Sequence, residues 1–341
     1  MRDDVAAAPM ITSISVALCT YNGERYIAEQ VRSILGQSFP VSEIVLSDDG
    51  SVDATVRVVR EAVTHFNLDH QSESVELVVL PHVARLGVTK NFQRALESCR
   101  YDLIALCDQD DVWHATKIAE QVRQFELRPE LLLLHTNARL VDEEGSPLPG
   151  SLFESLELTK AMIAAVHSGE AFDVLLRRNI ATGATMMLRH SLLRAAVPLP
   201  SAWIHDEWLA IIAAATGVVD ASTASRIDYR QHSANQIGVR SPTLRYKLSR
   251  LFESRGERNL ELAERAALLL ERLQTLGNCV SQKRVQAARG KCIFEGRRAR
   301  LPASRWLRVP PVIALALGGG YPKYASQGVR DAIRDLIQKP A

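Results

Sequence analysis

Neither GxGxxG nor GxxxxGK[ST] occurs in the 341 residues, so the two glycine-rich backbone cradles that commonly hold a nucleotide's phosphates are absent. A phosphate-binding function would need a cation in their place. There is no internal repeat and no low-complexity stretch, which removes solenoid and linker-like readings. The five cysteines (Cys19, Cys99, Cys107, Cys279, Cys292) include no CxxC pair and have no histidine at finger spacing. That excludes a disulfide framework and a structural zinc site, and the thiols read as reduced and cytoplasmic. No apolar run approaches the roughly 20 residues that span a bilayer; VIALAL, from Val312 to Leu317, is far too short. The opening MRDDVAAAPMITSISVALC places Asp3 and Asp4 after Arg2 and interrupts its apolar stretch with Pro9, Thr12 and Ser13, unlike a secretory signal.

What is present is an ordinary globular composition, 47% hydrophobic and 23% charged, sufficient for one large domain or two smaller ones. The formal net charge of +2 hides an asymmetry: residues 241–341 hold 20 Lys and Arg against 8 Asp and Glu, leaving 21 against 31 in residues 1–240. A basic tail of this kind is either a solvated helical surface or a docking face for anionic lipid. No nucleic-acid signature accompanies it.

The first half alternates short apolar runs with amphipathic stretches. ISVALC (14–19), EIVLS (43–47), VELVVL (75–80) and LIALC (103–107) read as buried parallel strands. Between them Ile27, Val31, Ile34 and Leu35 share a helical face, as do Val56, Val59, Val63 and Phe66, then Phe92, Ala95 and Leu96. This order predicts a parallel sheet covered by helices, whose ligands bind outside the carboxyl ends of the strands. Polar clusters sit at those ends: TYNGE after the first strand, DDGSVD after the second, DQDD after the fourth. LLLLHT, a helix through Phe172–Arg177, NIATGAT leading into MMLRHSLL, and IHDEWLAIIAAATG extend the same domain to about residue 240. From about Leu244 the pattern is helical, with Leu260, Ala263, Ala267 and Leu270 on one stripe and Gly277 as a stop; Pro302, Pro310 and Pro311 are expected to break the last region into short pieces.

Asp108, Asp110 and Asp111 lie within four positions, and two carboxylates about 4 Å apart repel by roughly 4 kcal/mol at an effective dielectric near 20. Hard oxygen ligands at a strand end suit Mg²⁺ or Mn²⁺, held by one or two carboxylates plus substrate phosphates. Asp111 reads instead as a cap for a helix continuing through Val112, Ile118 and Val122, and Asp53 as a cap for helix 54–66. Asp48 and Asp49 are free of that duty and could accept from a ribose hydroxyl or a base N–H. Asn22 and Gly23 make a tight turn, and Glu24 is an acid in a first helical turn. In IHDEWLA, Asp206 could cap a helix with Trp208 in its core; in YRQHSAN, taken alone, Arg230 is a solvated charge and His232 an ordinary polar residue.

Taken together, these pieces resemble the family 2 inverting glycosyltransferases of the GT-A fold, in particular the bacterial rhamnosyltransferase-like group. The matching stretches are CTYNGERYIAEQVRSILGQS (19–38), SDDGSVDAT (47–55), LGVTKNF (86–92), CDQDDVWHATKI (107–118), NIATGATMML (179–188), HDEWLA (205–210) and YRQHSANQIG (229–238), in family order over roughly residues 12–240. The resemblance implies an α/β GT-A domain over residues 1–240, with a nucleotide-sugar half at about 12–115 and an acceptor half at about 116–240, followed by a basic helical region at 241–341. It implies a nucleotide-diphosphate sugar donor, with dTDP-rhamnose favoured, and a Mg²⁺ or Mn²⁺ ion on its pyrophosphate. Thr20, Tyr21 and Glu24 would line the nucleotide pocket, Asp49 and Asp48 would contact base or ribose, Lys90 would lie near the donor, and Asp108 would reach ribose or sugar. Asp110 would hold the metal, with His232 as a further ligand closing the site. Asp206 takes the place of the catalytic base, with Glu207 as the alternate because many members carry a second aromatic residue there.

The acceptor implied is a saccharide or lipid-linked saccharide at the cytoplasmic face of a bacterial membrane. A sugar-1-phosphate nucleotidyltransferase would share nucleotide and metal, but TYNGERY lacks the glycine-rich basic loop usual near its first strand. A retaining glycosidase needs only two flanking carboxylates. A non-catalytic nucleotide-sugar-binding scaffold would carry the same binding residues and differ only in activity.

Overall fold

The computed structural model describes residues 13–81, 84–232 and 256–338; the start of the chain, the expected 240/241 boundary and the end of the YRQHSANQIG motif lie outside them. Four parallel strands, β1 (Ile14–Thr20), β2 (Glu43–Asp48), β3 (Glu76–Val79) and β4 (Leu103–Cys107), form one side of the sheet in the order β3-β2-β1-β4. They coincide closely with the four apolar runs; β1, β2 and β4 are buried on both faces, while the edge strand β3 is only partly covered. Val16, Leu18, Ile44, Leu46 and Ala105 enter the core beneath α1 (Ile27–Leu35) and α2 (Thr55–Asp69). Their alternates Ala17, Val45 and Ile104 meet Phe92, Ala95 and Leu96 of α3 (Val88–Ser98) on the other face.

After β4 come β5 (Val112–Trp113), β6 (Leu131–Val141), β7 (Pro147–Ser151), β8 (Met187–Arg189) and β9 (Val218–Arg230). The sheet continues from β4 as β8-β6-β9-β5, with β7 beside β6. β8 is antiparallel to both neighbours, whereas β6 and β9 are parallel, so the sheet is mixed beyond its parallel half. Helices α4 (Lys117–Leu127), α5 (Leu152–Ser155), α6 (Lys160–Ala165), α7 (Ala171–Arg177), α8 (Leu193–Ala196) and α9 (His205–Thr216) complete this part. The cap expected of Asp111 does not form: Val112 begins a strand and α4 starts only at Lys117. Ten of the twelve residues of α9 are buried, so its first turn is held firmly by the core behind it.

The remaining described residues are helical: α10 (Gly256–Thr275), α11 (Gln282–Ala299), α12 (Arg305–Leu317), α13 (Gly320–Tyr324) and α14 (Val329–Ile337). Gly277, with φ of 54°, ends the run after α10 as expected. The stripe of α10 is shifted from its expected place. Asn259, Ala266, Leu269 and Leu273 are buried, while Leu260 is 60% exposed. ELAERAALLLERL carries apolar residues at consecutive positions, so two stripes one residue apart satisfy the same period, and packing selects between them. Leu269 and Leu273 join the core of α7 and α9. Backbone carbonyls tie the junction: Arg272 Nε donates to Ala195 O (2.8 Å) and Arg284 Nη1 to Ala215 O (3.1 Å). Pro310 and Pro311 do not break the chain as expected; both lie inside α12.

The C-terminal helices have a polar centre of their own. Arg298 (1% exposed) donates from Nε to Asp335 Oδ2 (2.7 Å) and from Nη1 to Glu295 Oε2 (2.8 Å), while Tyr321 Oη donates to the same Asp335 Oδ2 (2.8 Å). Removing one partner leaves an uncompensated buried charge, which costs more than removing the whole pair. Asp335→Ala is therefore expected to lower stability by ~3–5 kcal/mol in chemical denaturation, with the Arg298→Met/Asp335→Leu double variant losing less than the single one.

Candidate active site

A cavity of about 630 Å³ opens at the carboxyl ends of β1, β2 and β4. Tyr21, Asp49, Asp108 and Asp110 line the strand side, and Asn179, Gly183 and Asp206 the side formed by the loop before β8 and the first turn of α9. The parallel register places these groups together: Thr20 pairs with Asp48 and Leu18 with Cys107. Three polar clusters some thirty to sixty residues apart thus share one wall.

Of the residues assigned to the donor, Thr20, Tyr21, Asp49 and Asp108 line the cavity and Glu24, Asp48 and Lys90 do not. Asp48 is consumed by its own turn, accepting from Thr20 Oγ1 (2.7 Å), Ser51 N (2.7 Å), Ser51 Oγ (2.6 Å) and Gly50 N (3.1 Å). Glu24 Oε2 accepts from Ala54 N (3.1 Å), and Asp53 in turn accepts from Glu24 N (3.1 Å) and Thr55 N (3.0 Å). This exchange satisfies the amides opening α2, the structural duty expected of Asp53 alone. Lys90 turns away from the cavity, donating to Leu199 O (2.6 Å) and Gln93 Oε1 (3.0 Å).

Asp49 clamps the loop before α3, accepting from Leu86 N (2.6 Å) and Gly87 N (3.0 Å). Gly87 has φ of 78°, the left-handed region glycine tolerates. The clamp brings in Arg85, which the sequence reading passed over: its guanidinium lies 4.0 Å from the Tyr21 ring centroid, facing the cavity. Gln109 was also passed over. Its amide accepts from Tyr21 N (2.7 Å) and donates to Tyr21 O (3.1 Å), so it ties the loop after β1 to the loop after β4. A Cβ on Gly23 would overlap that amide. Lying among three aspartates, Gln109 gives no sequence signal of this role.

The aspartates themselves divide by partner. Asp111 is 1% exposed, and its Oδ1 accepts from Arg230 N (3.0 Å) while Oδ2 has no hydrogen-bond partner among the described residues. Burial, then Asp110 and Asp108, push its carboxyl well up. Arg230 is not the solvated charge expected: it is 3% exposed and donates to Asp110 O (2.8 Å), Glu143 O (2.8 Å) and Glu29 Oε2 (2.6 Å). It thereby anchors the end of β9 against the DQDD turn, and two residues later His232 Nε2 lies 2.8 Å from Asp110 Oδ2 and stacks on Tyr26 with ring centroids 5.0 Å apart. Loss of water around Asp108, with Asp110 and Asp206 adding repulsion, pushes its carboxyl up to about 8.

These donors fit a divalent cation. Asp108, Asp110 and His232 line one cavity, and His232 Nε2 lies 2.8 Å from Asp110 Oδ2, so oxygen and imidazole donors converge there. Among the described residues no group of three His, Cys, Asp or Glu side chains is placed to hold a metal by itself, so an ion here would need further ligands from a substrate's phosphates.

Asp206 and Glu207 separate clearly. Asp206 Oδ2 accepts from Gly183 N (3.1 Å) and Oδ1 from Glu207 N (2.6 Å). Burial raises its carboxyl above the usual range, opposed by His205, the Gly183 amide and Arg265. Glu207 also lines the cavity but is ion-paired with Arg265 of α10. His205 stacks on Phe92 (3.9 Å between centroids), and burial lowers its pKa, which keeps it neutral near pH 7. A Cβ on Gly183 would come within 2.6 Å of His205 Nε2, so this glycine is needed for the close approach that supplies the amide to Asp206.

Comparison with known proteins decides the family. Residues 15–160 match the sequence model described as Glycosyl transferase family 2. The structure also superposes on S. aureus TarS 1–349 in complex with UDP-GlcNAc with a TM-score of 0.54 at 16% identity, covering 94% of this chain and 92% of that one. Residues 15–160 form a family 2 glycosyltransferase domain, on a GT-A fold. Among its relatives in this family, the dTDP-rhamnosyl transferase RfbG of Shigella flexneri is 37% identical over 109 residues, 31% of this chain and 35% of that protein. The mannosyltransferase PcManGT of Pyrobaculum calidifontis, in complex with GDP-Man and Mn²⁺, superposes with a TM-score of 0.52 at 17% identity, covering 97% of this glycosyltransferase chain and 83% of that one. The curated relatives are matched over about a third to a half of their own length.

The Asp108 environment has a testable consequence without any ligand. A carboxyl whose folded pKa lies near 8, above its unfolded value, must take up a proton on folding, and that requirement costs stability increasingly as pH rises from about 4 to 8. Asp108→Asn should therefore raise the melting temperature of the metal-free protein, by little at pH 5 and by several degrees at pH 8. A stabilisation independent of pH would contradict the electrostatic account.

Proposed function

We propose that this glycosyltransferase moves a sugar, with L-rhamnose favoured, from a nucleoside-diphosphate donor to a hydroxyl of a saccharide or lipid-linked saccharide, with inversion, in cell-surface polysaccharide synthesis. The observation that carries the reading is the position of Asp206 in the cavity shared with Asp108 and Asp110, with its own oxygens oriented by two backbone amides. The relative that names dTDP-rhamnose supports the choice of donor, and the Mn²⁺ in the mannosyltransferase complex supports use of a divalent ion.

In this reading Tyr21, Asp49 and Arg85 hold the nucleotide, Asp108 meets ribose or donor sugar, and Asp110 with His232 holds Mg²⁺ or Mn²⁺. The ion, when bound, neutralises charge on the leaving diphosphate. Asp206 takes the proton from the acceptor hydroxyl as that oxygen attacks the anomeric carbon, and the bond to the diphosphate breaks on the opposite side. A carboxyl raised above its usual range is a stronger base, closer to the working pH. Ion pairing with Arg265 favours Asp206 over Glu207 for this role, because a guanidinium-paired carboxylate is a poorer proton acceptor. No helix among the described residues is long and apolar enough to cross a membrane; a lipid-linked acceptor would be met at the cytoplasmic surface of the bilayer.

Two substitutions test the roles separately. Asp110→Asn should abolish Mg²⁺- or Mn²⁺-dependent binding of the nucleotide sugar in calorimetry while thermal unfolding stays cooperative; unchanged metal-dependent affinity would remove Asp110 from the metal site. Asp206→Asn should keep donor affinity and lower turnover by about 10² or more. If Glu207→Gln produced that loss and Asp206→Asn did not, the base would be the neighbour.

A further inference from the structure

The outer surface of the C-terminal helices has a composition that the catalytic reading does not use. From Trp306 to Leu317 the sequence WLRVPPVIALAL contains one polar residue, Arg308, and that side chain is buried, donating to Pro302 O (2.7 Å) and Gln338 O (2.6 Å). Val312 and Leu315 face the core with it. The opposite side of α12 is apolar and open to solvent: Trp306 is 87% exposed, Leu307 65%, Ile313 50% and Leu317 85%. Residues 306, 313 and 317 fall on one line of an α-helix. Packed against α12, α14 exposes a second stripe, Val329, Ile333 and Ile337, at intervals of four. An ordinary surface helix shows the reverse pattern, with its apolar side inward only.

The segment that carries this patch exposes charge of one sign, although α10 beside it also exposes Glu257 and Glu261. Residues 296–338 contain eight Lys and Arg against Asp331 and Asp335, and both acids are buried, Asp331 in ion pairs with Arg258 and Arg334 and Asp335 with Arg298. The exposed charges of this segment are Arg297, Arg300, Arg305, Lys323 and Arg330. A second copy of the chain docked here would set these cations against their own images. An anionic bilayer offers them countercharge and offers the apolar side of α12 a place out of water.

We propose that α12 is an interfacial membrane helix: it lies in the headgroup region of an anionic bilayer, with Trp306, Leu307, Ile313 and Leu317 inserted and the surrounding arginines and Lys323 on lipid phosphates. This deepens, and rests for its biological purpose on, the reading that the acceptor is lipid-linked. The depth is limited by length and by proline. Thirteen residues span only about 20 Å at 1.5 Å per residue. Pro310 and Pro311 have no N–H for the carbonyls of Trp306 and Leu307, groups that water and headgroups can satisfy and hydrocarbon cannot. The surface therefore binds reversibly, through insertion and charge together.

The full-length protein can be tested with vesicles of phosphatidylcholine alone and with phosphatidylglycerol added, by co-sedimentation and tryptophan emission. Of the four tryptophans, Trp113 and Trp208 are buried and Trp203 is partly covered, so a blue shift on binding should come from Trp306 and vanish in Trp306→Phe while binding persists. Binding should favour anionic vesicles and weaken with salt, and Trp306→Glu/Leu317→Glu should reduce it at least tenfold even at low salt. Absence of binding to anionic vesicles, equal binding by the double variant, or a dimer in solution that the double variant dissociates would each overturn the proposal. Donor hydrolysis without vesicles reports the catalytic reading separately: the double variant should retain it, and vesicle binding by a chain that hydrolyses no nucleotide sugar would support the surface while counting against the reaction.

Discussion

Carboxylates withdrawn from water and left near one another are the constraint around which this molecule is arranged. Two ionised carboxylates about 4 Å apart at an effective dielectric near 20 repel by roughly 4 kcal/mol unless a partner or a proton intervenes. The structure supplies partners selectively. Asp48 and Asp49 are saturated or clamped by backbone amides, and Asp111 by the amide of Arg230. Asp108, Asp110 and Asp206 share one cavity, where His232 Nε2 meets Asp110 at 2.8 Å and Asp206 accepts from the amides of Gly183 and Glu207. Amides thus fix the orientation of Asp48, Asp49, Asp111 and Asp206, while burial and neighbouring acids govern Asp108.

The helices after residue 256 contribute to this arrangement and are not a detached appendage. Arg265 reaches back from α10 to pair with Glu207, while Trp203 Nε1 donates to Arg265 O (3.1 Å) and the guanidinium covers the same indole at 4.2 Å. The basic helical region thus pairs one of two adjacent acids at the start of α9, while the other, Asp206, is held by the amides of Gly183 and Glu207. By burying Asp331 and Asp335 against Arg298, Arg258 and Arg334, the segment 296–338 leaves only cations among its exposed charges, bordering an apolar helix.

Much of the architecture was legible because parallel strands buried on both faces must be short, continuous apolar runs, and ISVALC, EIVLS and LIALC have no other good reading. The position of the cavity followed from the polar clusters at the ends of those runs. Individual side-chain duties were less legible. Glu24 and Lys90 fall within motifs shared with the family, yet both turn away from the cavity, while Arg85 and Gln109 enter or brace it without any signal in their neighbours. The stripe of α10 was misplaced by one position for a related reason: a helix rich in Leu and Ala on several sides records its period but not its phase.

The sequence by itself determined the alternation of strands and helices, the placing of acids at strand ends, and the basic character of the last hundred residues, because these depend on the order of residue types along the chain. Tertiary structure alone decided which acids keep a neutralising partner, that Arg230 is buried, that Glu207 is paired, and that Trp306 and Leu317 face outward. The physical reason is the range of the interactions. Burial and strand periodicity are set by neighbours within a few positions, whereas the partners of Asp111, Glu207 and Asp110 lie 119, 58 and 122 positions away, and only the closed sheet with its packed helices brings them into contact.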